Sequence, residues 1–532
     1  MTWGEGATPD MKDPPMSSLG SWTWPIPELG QWPDRPDRHH AIVIGAGIGG
    51  LTAAALLACR GYKVLVVEAH DRPGGCCSSW TRRVRRSDAT QRHFVFDAGV
   101  QDISGLGPGG PVRSLLTELG AQDRLDWRRV RHRYILDGLC LDLSQDHAEF
   151  GTELRRLFPQ EAGGISALLE EIAAVYAELR SADTGVPALP QTTSEAMMWP
   201  GRHPRAARWL GVPFVEMLAT YVSNPNLKRL LTTIAEYVTD DPHRLSVIEM
   251  VPLFGYYFDG GYYPAGGSQR LANLLRGVIE AHGGRIELRC TANKIVIDRG
   301  RVAGVICVSR RQERPQWAPI VLSNGDLVSS LTTLLDPALL PPRYLGRIRA
   351  INRGPSAVLV SLGLDRVPDL PARVFVSRNG LQFGIGNPSV IDGSLASPGC
   401  AAVTLLCVLP EAEKSRWFGL ERSAYGRAKV DVAERMLVEA ASVIPNLREH
   451  ICYMQVAAPP TFSRYLRSVD GSIYGAARGQ WTPPIKAPVP GLMLLGGGGQ
   501  TGPGIEAVVI AGIGAANIIA PTNAASGASM RT

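Results

Sequence analysis

The sequence predicts an α/β fold in which a Rossmann-like nucleotide-binding domain carries a second, α+β domain inserted into it. Three stretches lead to that expectation. Near the amino end, "AIVIGAGIGGLTAAALLAC" (41–59) passes from β-type residues through closely spaced glycines into an alanine- and leucine-rich helix. In the middle, 260–308 reads as helix, strand and hairpin. Close to the carboxyl end, "GLMLLGGGGQTGPGIEAVVIAGIGAANII" (491–519) repeats the order strand, glycine loop, helix.

At 532 residues the chain is longer than one hydrophobic core usually organises, which calls for two domains. Apolar residues at 45% and charged residues at 20% are ordinary for a globular chain. The 55 basic against 49 acidic residues leave +6, too mild an excess for a nucleic-acid partner. Nine scattered cysteines without CxxC spacing point to a reducing compartment, and ten histidines without HExxH-type spacing point to no metal. Residues 1–38 lack a basic region followed by an apolar one, so they do not read as a secretory signal. Trp22, Trp24 and Trp32 suggest an irregular arm that docks on the body.

The uncharged run 41–59 has the length of a membrane span, but its internal glycines make it strand, turn and helix instead. Gly45, Gly47 and Gly50 satisfy GxGxxG, a weak signal alone. It gains weight from "YKVLVVEAH", a buried strand ending in Glu68, eighteen residues beyond Gly50, where a carboxylate would accept hydrogen bonds from a ribose. Gly45 permits the turn, Gly47 lets backbone approach a pyrophosphate, and Gly50 lets helix pack on strand. Ile48 and Gly49 open the helix, whose free N–H groups and dipole favour anionic phosphates. A second glycine pair follows at Arg72-Pro73-Gly74-Gly75. A nicotinamide dinucleotide has no evident need of it, whereas an extended flavin dinucleotide runs on past its pyrophosphate.

The glycine turn, Glu68 with Ala69, and "DRPGG" resemble the flavoproteins that include amine oxidases, protoporphyrinogen oxidase and phytoene desaturases. The resemblance implies FAD, with the Arg72-x-Gly74-Gly75 backbone along its ribityl region. The middle block is similar in detail to the phytoene desaturase and carotenoid isomerase branch: a Pro264-x-Gly266-Gly267 turn, then the helix with Leu271, Leu274, Leu275, Val278 and Ile279 on one face, then the hairpin turning at Asp298–Gly300. Resemblance implies an adenine contact from the main chain at Ala292, and a return to the nucleotide domain at the Asn-x-Asp turn of "VLSNGDL" (321–327), with Asn324 in the site. "DGSLASPG" (392–399) and "APPTFSRYLRSVDGSIYG" (458–475) match further segments, so the resemblance spans about 41–520.

The fold this implies is a Rossmann-like FAD-binding domain of the glutathione reductase type with an inserted substrate domain. The boundaries read as an irregular arm at 1–38; FAD-binding segments at 39–110, 260–330 and 484–522; a helical first substrate segment at 111–259 and a second at 331–483; and a tail at 523–532. The apolar helices of 205–258 read as core, or as walls of a lipophilic tunnel, or as a surface dipping into a bilayer. The basic run "WTRRVRRSDATQRH" (80–93) reads as a solvated face or as a patch for anionic lipid. "FDAGVQDISGLGPGG" (96–110) resembles the segment where substrate domain and flavin meet.

At the carboxyl end, Gly496, Gly497, Gly504, Ile505 and Glu506 complete the implied FAD site, with a helix N-terminus toward the flavin. Many relatives have Asp after the first glycine of this loop, where this chain has Gly497. Glu506 stands where Pro is frequent in carotenoid relatives; it reads either as favourable electrostatics at a helix start or as a proton relay or contact to a polar substrate group. It is the one catalytic candidate. The expected activity is FAD-dependent oxidoreduction of a long apolar polyene or isoprenoid, by desaturation or redox-assisted cis/trans isomerisation. The alternatives are an amine or other small-molecule oxidase and a catalytically silent FAD-fold partner protein. Partners expected are a lipophilic small molecule and a peripheral membrane surface, in the cytoplasm or at a membrane's inner face.

Overall fold

The computed structural model describes residues 37–85, 91–143, 147–180 and 193–521. The amino-terminal arm with its three tryptophans lies outside them. The elements that position the site are β1 (Ala41–Ile44), α1 (Ile48–Cys59), β2 (Val64–Val67), α2 (Gln269–Ala281), β3 (Arg285–Glu287), β4 (Ile320–Ser323), β5 (Leu492–Leu494) and α3 (Ile505–Ile519). The five strands form one parallel sheet in the order β5-β4-β1-β2-β3. Segments far apart in sequence thus share one sheet, as the resemblance implied.

Alternation along β1 divides the apolar packing between the two faces of this sheet. Ala41 and Val43 pack with α1, α2 and α3, whereas Ile42 and Ile44 face a core shared with the antiparallel strands Cys290–Asp298 and Arg301–Ser309. The hairpin turns at Arg299 and Gly300, both at positive φ. A third strand, Gln312–Trp317, extends it and had no counterpart in the sequence reading.

The second body is a seven-stranded sheet whose strands are antiparallel except where Arg373–Arg378 runs parallel to His132–Leu136. One face carries the long helix Arg422–Ala441; Tyr134 and Phe375 join a helical cluster drawn largely from 147–258. The expectation of a purely helical first substrate segment is corrected here. Strands Trp127–Val130, His132–Leu136 and Leu139–Leu143 lie within it, each only four or five residues long and interrupted by charged residues. The boundaries also move inward: Val112, Leu115, Leu116 and Leu119 belong to the core of the parallel sheet, as do Leu331, Leu335 and Ile348 on its other face.

Two devices hold the nucleotide-binding body together. Asp97, buried at the end of strand Gln91–Asp97, accepts the hydroxyls of Ser79 (2.5 Å), Ser268 (2.8 Å) and Tyr263 and the Ser268 amide (3.1 Å), tying that hairpin to the start of α2. Burial pushes its carboxyl upward in spite of the four donors. The other device is the crossing of α1 and α3. A Cβ on Gly512 would sit 2.7 Å from the Gly49 carbonyl oxygen, so the two helices approach with almost no side chain between them.

Candidate functional site: a glycine-lined groove and a polar cluster

The amino ends of α1 and α3 open on one cavity of about 900 Å³. From the first glycine turn, Gly45, Gly47, Ile48 and Gly49 line it; from the end of β2, Glu68 and Ala69; from the second glycine pair, Gly74 and Gly75. Ala292, Asn324, Gly496, Gly497, Gly504, Ile505 and Glu506 complete this part of the wall. Two of the expected residues stand outside it. Gly50 is a packing residue, because a Cβ there would lie 2.5 Å from the Gly45 carbonyl oxygen. Arg72 is held by the Ser79 carbonyl (2.7 Å) and Asp71, away from the cavity.

The shape of the groove follows from its backbone. Gly45 turns at φ +91° and Gly504 at φ +101°, conformations that side chains disfavour. The Gly74 amide donates to the Ala46 carbonyl (2.7 Å) and Gly47 bridges to Gly74, so the two amino-terminal glycine pairs form one surface. Asn324 sits at its centre: Cβ atoms on Gly47 and Gly49 would lie 2.7 Å from its Nδ2 and 2.9 Å from its Oδ1. At the carboxyl end, Gly475 presses on Gly498 and Arg478 on Gly502, so segment 471–478 braces the glycine loop from behind.

These residues fit a dinucleotide. Neither Gly47 nor Gly504 provides a side-chain cap, so both helix N-termini offer uncapped amides and the positive end of a dipole to the groove. Each end favours an anionic group by about 0.3–1 kcal/mol, or up to about 2 kcal/mol when partly buried. The Oδ1 of Asn324 and the Oγ1 of Thr501 are buried without a protein partner, as expected of groups that complete their bonding with a ligand. Glu68 differs from the simple ribose acceptor of the sequence reading. Its oxygens already accept the amides of Ala46 and His70, each at 2.7 Å. A carboxylate has about four acceptor sites, so Glu68 fixes the glycine turn and retains capacity for ribose hydroxyls.

Beyond Glu506 the same cavity continues between Leu179, Val238, Ile248, Leu253, Leu406 and Val408. A polar cluster interrupts this apolar lining. Ser104 donates to Glu506 Oε2 at 2.5 Å, and Arg180 bonds Glu506 Oε1 (3.3 Å) and Asp259 (2.7 Å). Tyr176 donates to Asp259 at 2.7 Å and its ring lies 4.4 Å beneath the Arg180 guanidinium. Burial pushes the Glu506 carboxyl up, opposed by Ser104 and Arg180 and reinforced by the charge of Asp259. The side chains of Glu506 and Arg180 each keep 17% of their surface accessible, and both line the cavity. Three other ion pairs occur in the wall: Arg373 with Glu236, nearly sealed, Arg478 with Glu249 (2.6 Å) and Arg353 with Asp326 (3.5 Å). Sequence reasoning missed Arg180, Asp259 and Tyr176, single polar residues within apolar runs; Ser104 lay in a loop singled out only as a meeting place. Among the described residues no group of three or more His, Cys, Asp and Glu side chains gathers to hold a metal.

Comparison with known proteins agrees with this architecture. Residues 43–119 match the family of NAD(P)-binding Rossmann-like domains. The chain is 24% identical over 493 residues to an all-trans-retinol 13,14-reductase of Danio rerio, covering 84% of this chain and 78% of that one. It is 24% identical over 518 residues to prolycopene isomerase 1 of an Oncidium hybrid cultivar, with 92% and 84% covered. The solved structure of an oxidoreductase from Methanosarcina mazei superposes with a TM-score of 0.63 at 19% identity, over 89% of this chain and 99% of that one, which shows the fold. The chain is an FAD-type oxidoreductase similar in sequence to the retinol 13,14-reductases and prolycopene isomerases.

Two outcomes follow for this oxidoreductase. Substituting Glu68 by Ala frees the Ala46 and His70 amides and removes the ribose acceptor, so FAD occupancy of the purified protein falls at least about tenfold, the equivalent of 1.4 kcal/mol; unchanged flavin absorbance contradicts the assignment. Because the folded pKa of Glu506 is raised, the stability linked to this group is greatest at acid pH and is lost as pH rises through the folded value. Glu506→Gln, which is never ionised, therefore melts at or above the wild-type temperature at neutral pH, measured by calorimetry, and the difference closes toward acid pH. A variant less stable at neutral pH would contradict the direction of the shift.

Proposed function

We propose that this protein oxidises, or redox-isomerises, a long conjugated polyene or isoprenoid of carotenoid or retinoid kind. One observation carries the reading: the apolar passage lined by Leu179, Ile248 and Leu253 belongs to the same cavity as the glycine groove, so an extended lipophilic chain has a way to the cofactor. The retinol reductase and prolycopene isomerase relatives act, by their names, on molecules of this class. FAD bound in the groove would supply the acceptor of hydride or electrons.

The chain's own contribution is alignment, exclusion of water and proton handling. The apolar walls hold the polyene and keep solvent from the reacting bond. Glu506, set at the start of α3 with one oxygen toward Ser104 and the other toward Arg180, is placed to take or return a proton.

The reading includes a peripheral membrane contact that delivers the substrate. The exposed Arg82, Arg83 and Arg85 on strand Ser79–Arg85 support it, being complementary to anionic lipid. Among the described residues no helix is long and apolar enough to cross a membrane.

Incubation of FAD-loaded protein with carotenoids, retinoids and amines, offered in neutral and in anionic vesicles, tests both parts. Desaturation appears as a two-dalton loss and isomerisation as an unchanged mass with altered retention, faster from anionic vesicles. Turnover of amines alone would overturn the substrate class, and equal rates from both vesicles would overturn the membrane contact.

A further inference from the structure

Resting on the polyene reading, we infer that the cavity selects a substrate carrying an oxygen, and that Ser104, Arg180 and Glu506 form the subsite for a hydroxyl at the end of its conjugated chain. The three residues come from separate parts of the fold: a glycine-rich loop, the residue closing helix Ala162–Leu179, and the first turn of α3. All three line the cavity. Their convergence among the apolar side chains Leu179, Ile248 and Leu253 has no counterpart in what a hydrocarbon requires. Against a hydrocarbon, the accessible parts of Arg180 and Glu506 would lose water and receive nothing in return.

The bonding pattern is matched to a neutral oxygen. Arg180 spends one nitrogen on Asp259 and another on Glu506, the latter in a long 3.3 Å contact, and its fork has five N–H groups in all. A hydroxyl placed between Arg180 and Glu506 accepts from the guanidinium and donates to the carboxylate, replacing the loose contact with two shorter ones. Asp259 and Tyr176 hold Arg180 from behind, so the donor is oriented before a ligand arrives. Two carboxylates around one guanidinium leave no net positive charge for a carboxylate-bearing ligand. An ammonium has no lone pair to accept from the guanidinium, whereas a neutral alcohol both accepts and donates.

The subsite also fixes orientation. Glu506 is two residues from Gly504, which lines the glycine groove, whereas Leu253 and Ile248 line the apolar passage. The oxygenated end therefore points toward the groove and the hydrocarbon remainder trails along the passage. The cavity's other ion pairs are built differently: Arg373 is 1% exposed, Arg478 is packed on Gly502, and Arg353 pairs with the single carboxylate of Asp326.

The test is equilibrium binding to the FAD-loaded protein, read by quenching of protein fluorescence, with three ligands of one chain length: all-trans-retinol, the hydrocarbon in which methyl replaces its CH2OH, and the corresponding primary amine. The alcohol is expected to bind tighter than the hydrocarbon by about tenfold or more, since a site built to bond a hydroxyl rejects the analogue that lacks it. Ser104→Ala and Glu506→Gln, each checked for retained flavin absorbance, should bring that ratio below about threefold. Equal binding of alcohol and hydrocarbon by the wild type, a preference undiminished in both variants, or tightest binding of the amine would overturn the subsite. Failure of all three ligands to bind while flavin is retained would remove the polyene reading itself, and the subsite with it.

Discussion

The close crossing of α1 and α3 is the constraint on which the site depends. Gly49 and Gly512 let the helices approach until backbone meets backbone, and a methyl group at either position would meet a carbonyl oxygen about 3 Å away or nearer. The approach brings two helix N-termini, more than 450 positions apart in the chain, to the edge of one groove. Neither terminus is capped by a side chain. Uncapped amides are tolerated where a ligand or water completes them, so the same geometry that packs the helices also specifies an anionic occupant. Asn324 links the two halves, lying against Gly47 and Gly49 on one side and Gly496 on the other.

Outside the groove the second body supplies part of the cavity wall. Its helical cluster gives the cavity apolar walls, and its junction with the nucleotide-binding body supplies charge. The Arg180 cluster sits at that junction, where the end of helix Ala162–Leu179, the turn at Asp259 and the start of α3 converge. Buried ion pairs contribute little net stability, because the attraction between partners is offset by the loss of hydration. A cluster of this kind, left partly accessible inside an apolar cavity, is better explained by what it does to a ligand than by what it does for the fold.

The parallel sheet and both glycine segments were legible in the sequence because their signals are local. Four apolar residues, a glycine turn and a small-residue helix follow one another at Ala41–Cys59 and again at Leu492–Ile519, and each piece has the composition its conformation demands. Glu68 was legible as the acidic end of a strand, but its bonds to the Ala46 and His70 amides depend on how the turn folds back. Gly50 was legible as a packing glycine, whereas the position of Arg72 was decided by the Ser79 carbonyl, a partner outside its own motif. Least legible was the polar cluster. Arg180 and Asp259 carry no periodicity or motif, and their meaning appears only when nine intervening helical segments among the described residues bring them within 2.7 Å. The short strands Trp127–Val130 and His132–Leu136 were hidden for a related reason: they pair with Gly261–Pro264 and Arg373–Arg378, far away in sequence.

The central claim is that the two glycine segments close around a single FAD. The most direct measurement is the absorbance spectrum of the purified protein, with flavin quantified against chain after denaturation and after titration of any apoprotein with FAD. The account predicts flavin bands and saturation at one FAD per chain. A colourless protein that takes up no added FAD would contradict it.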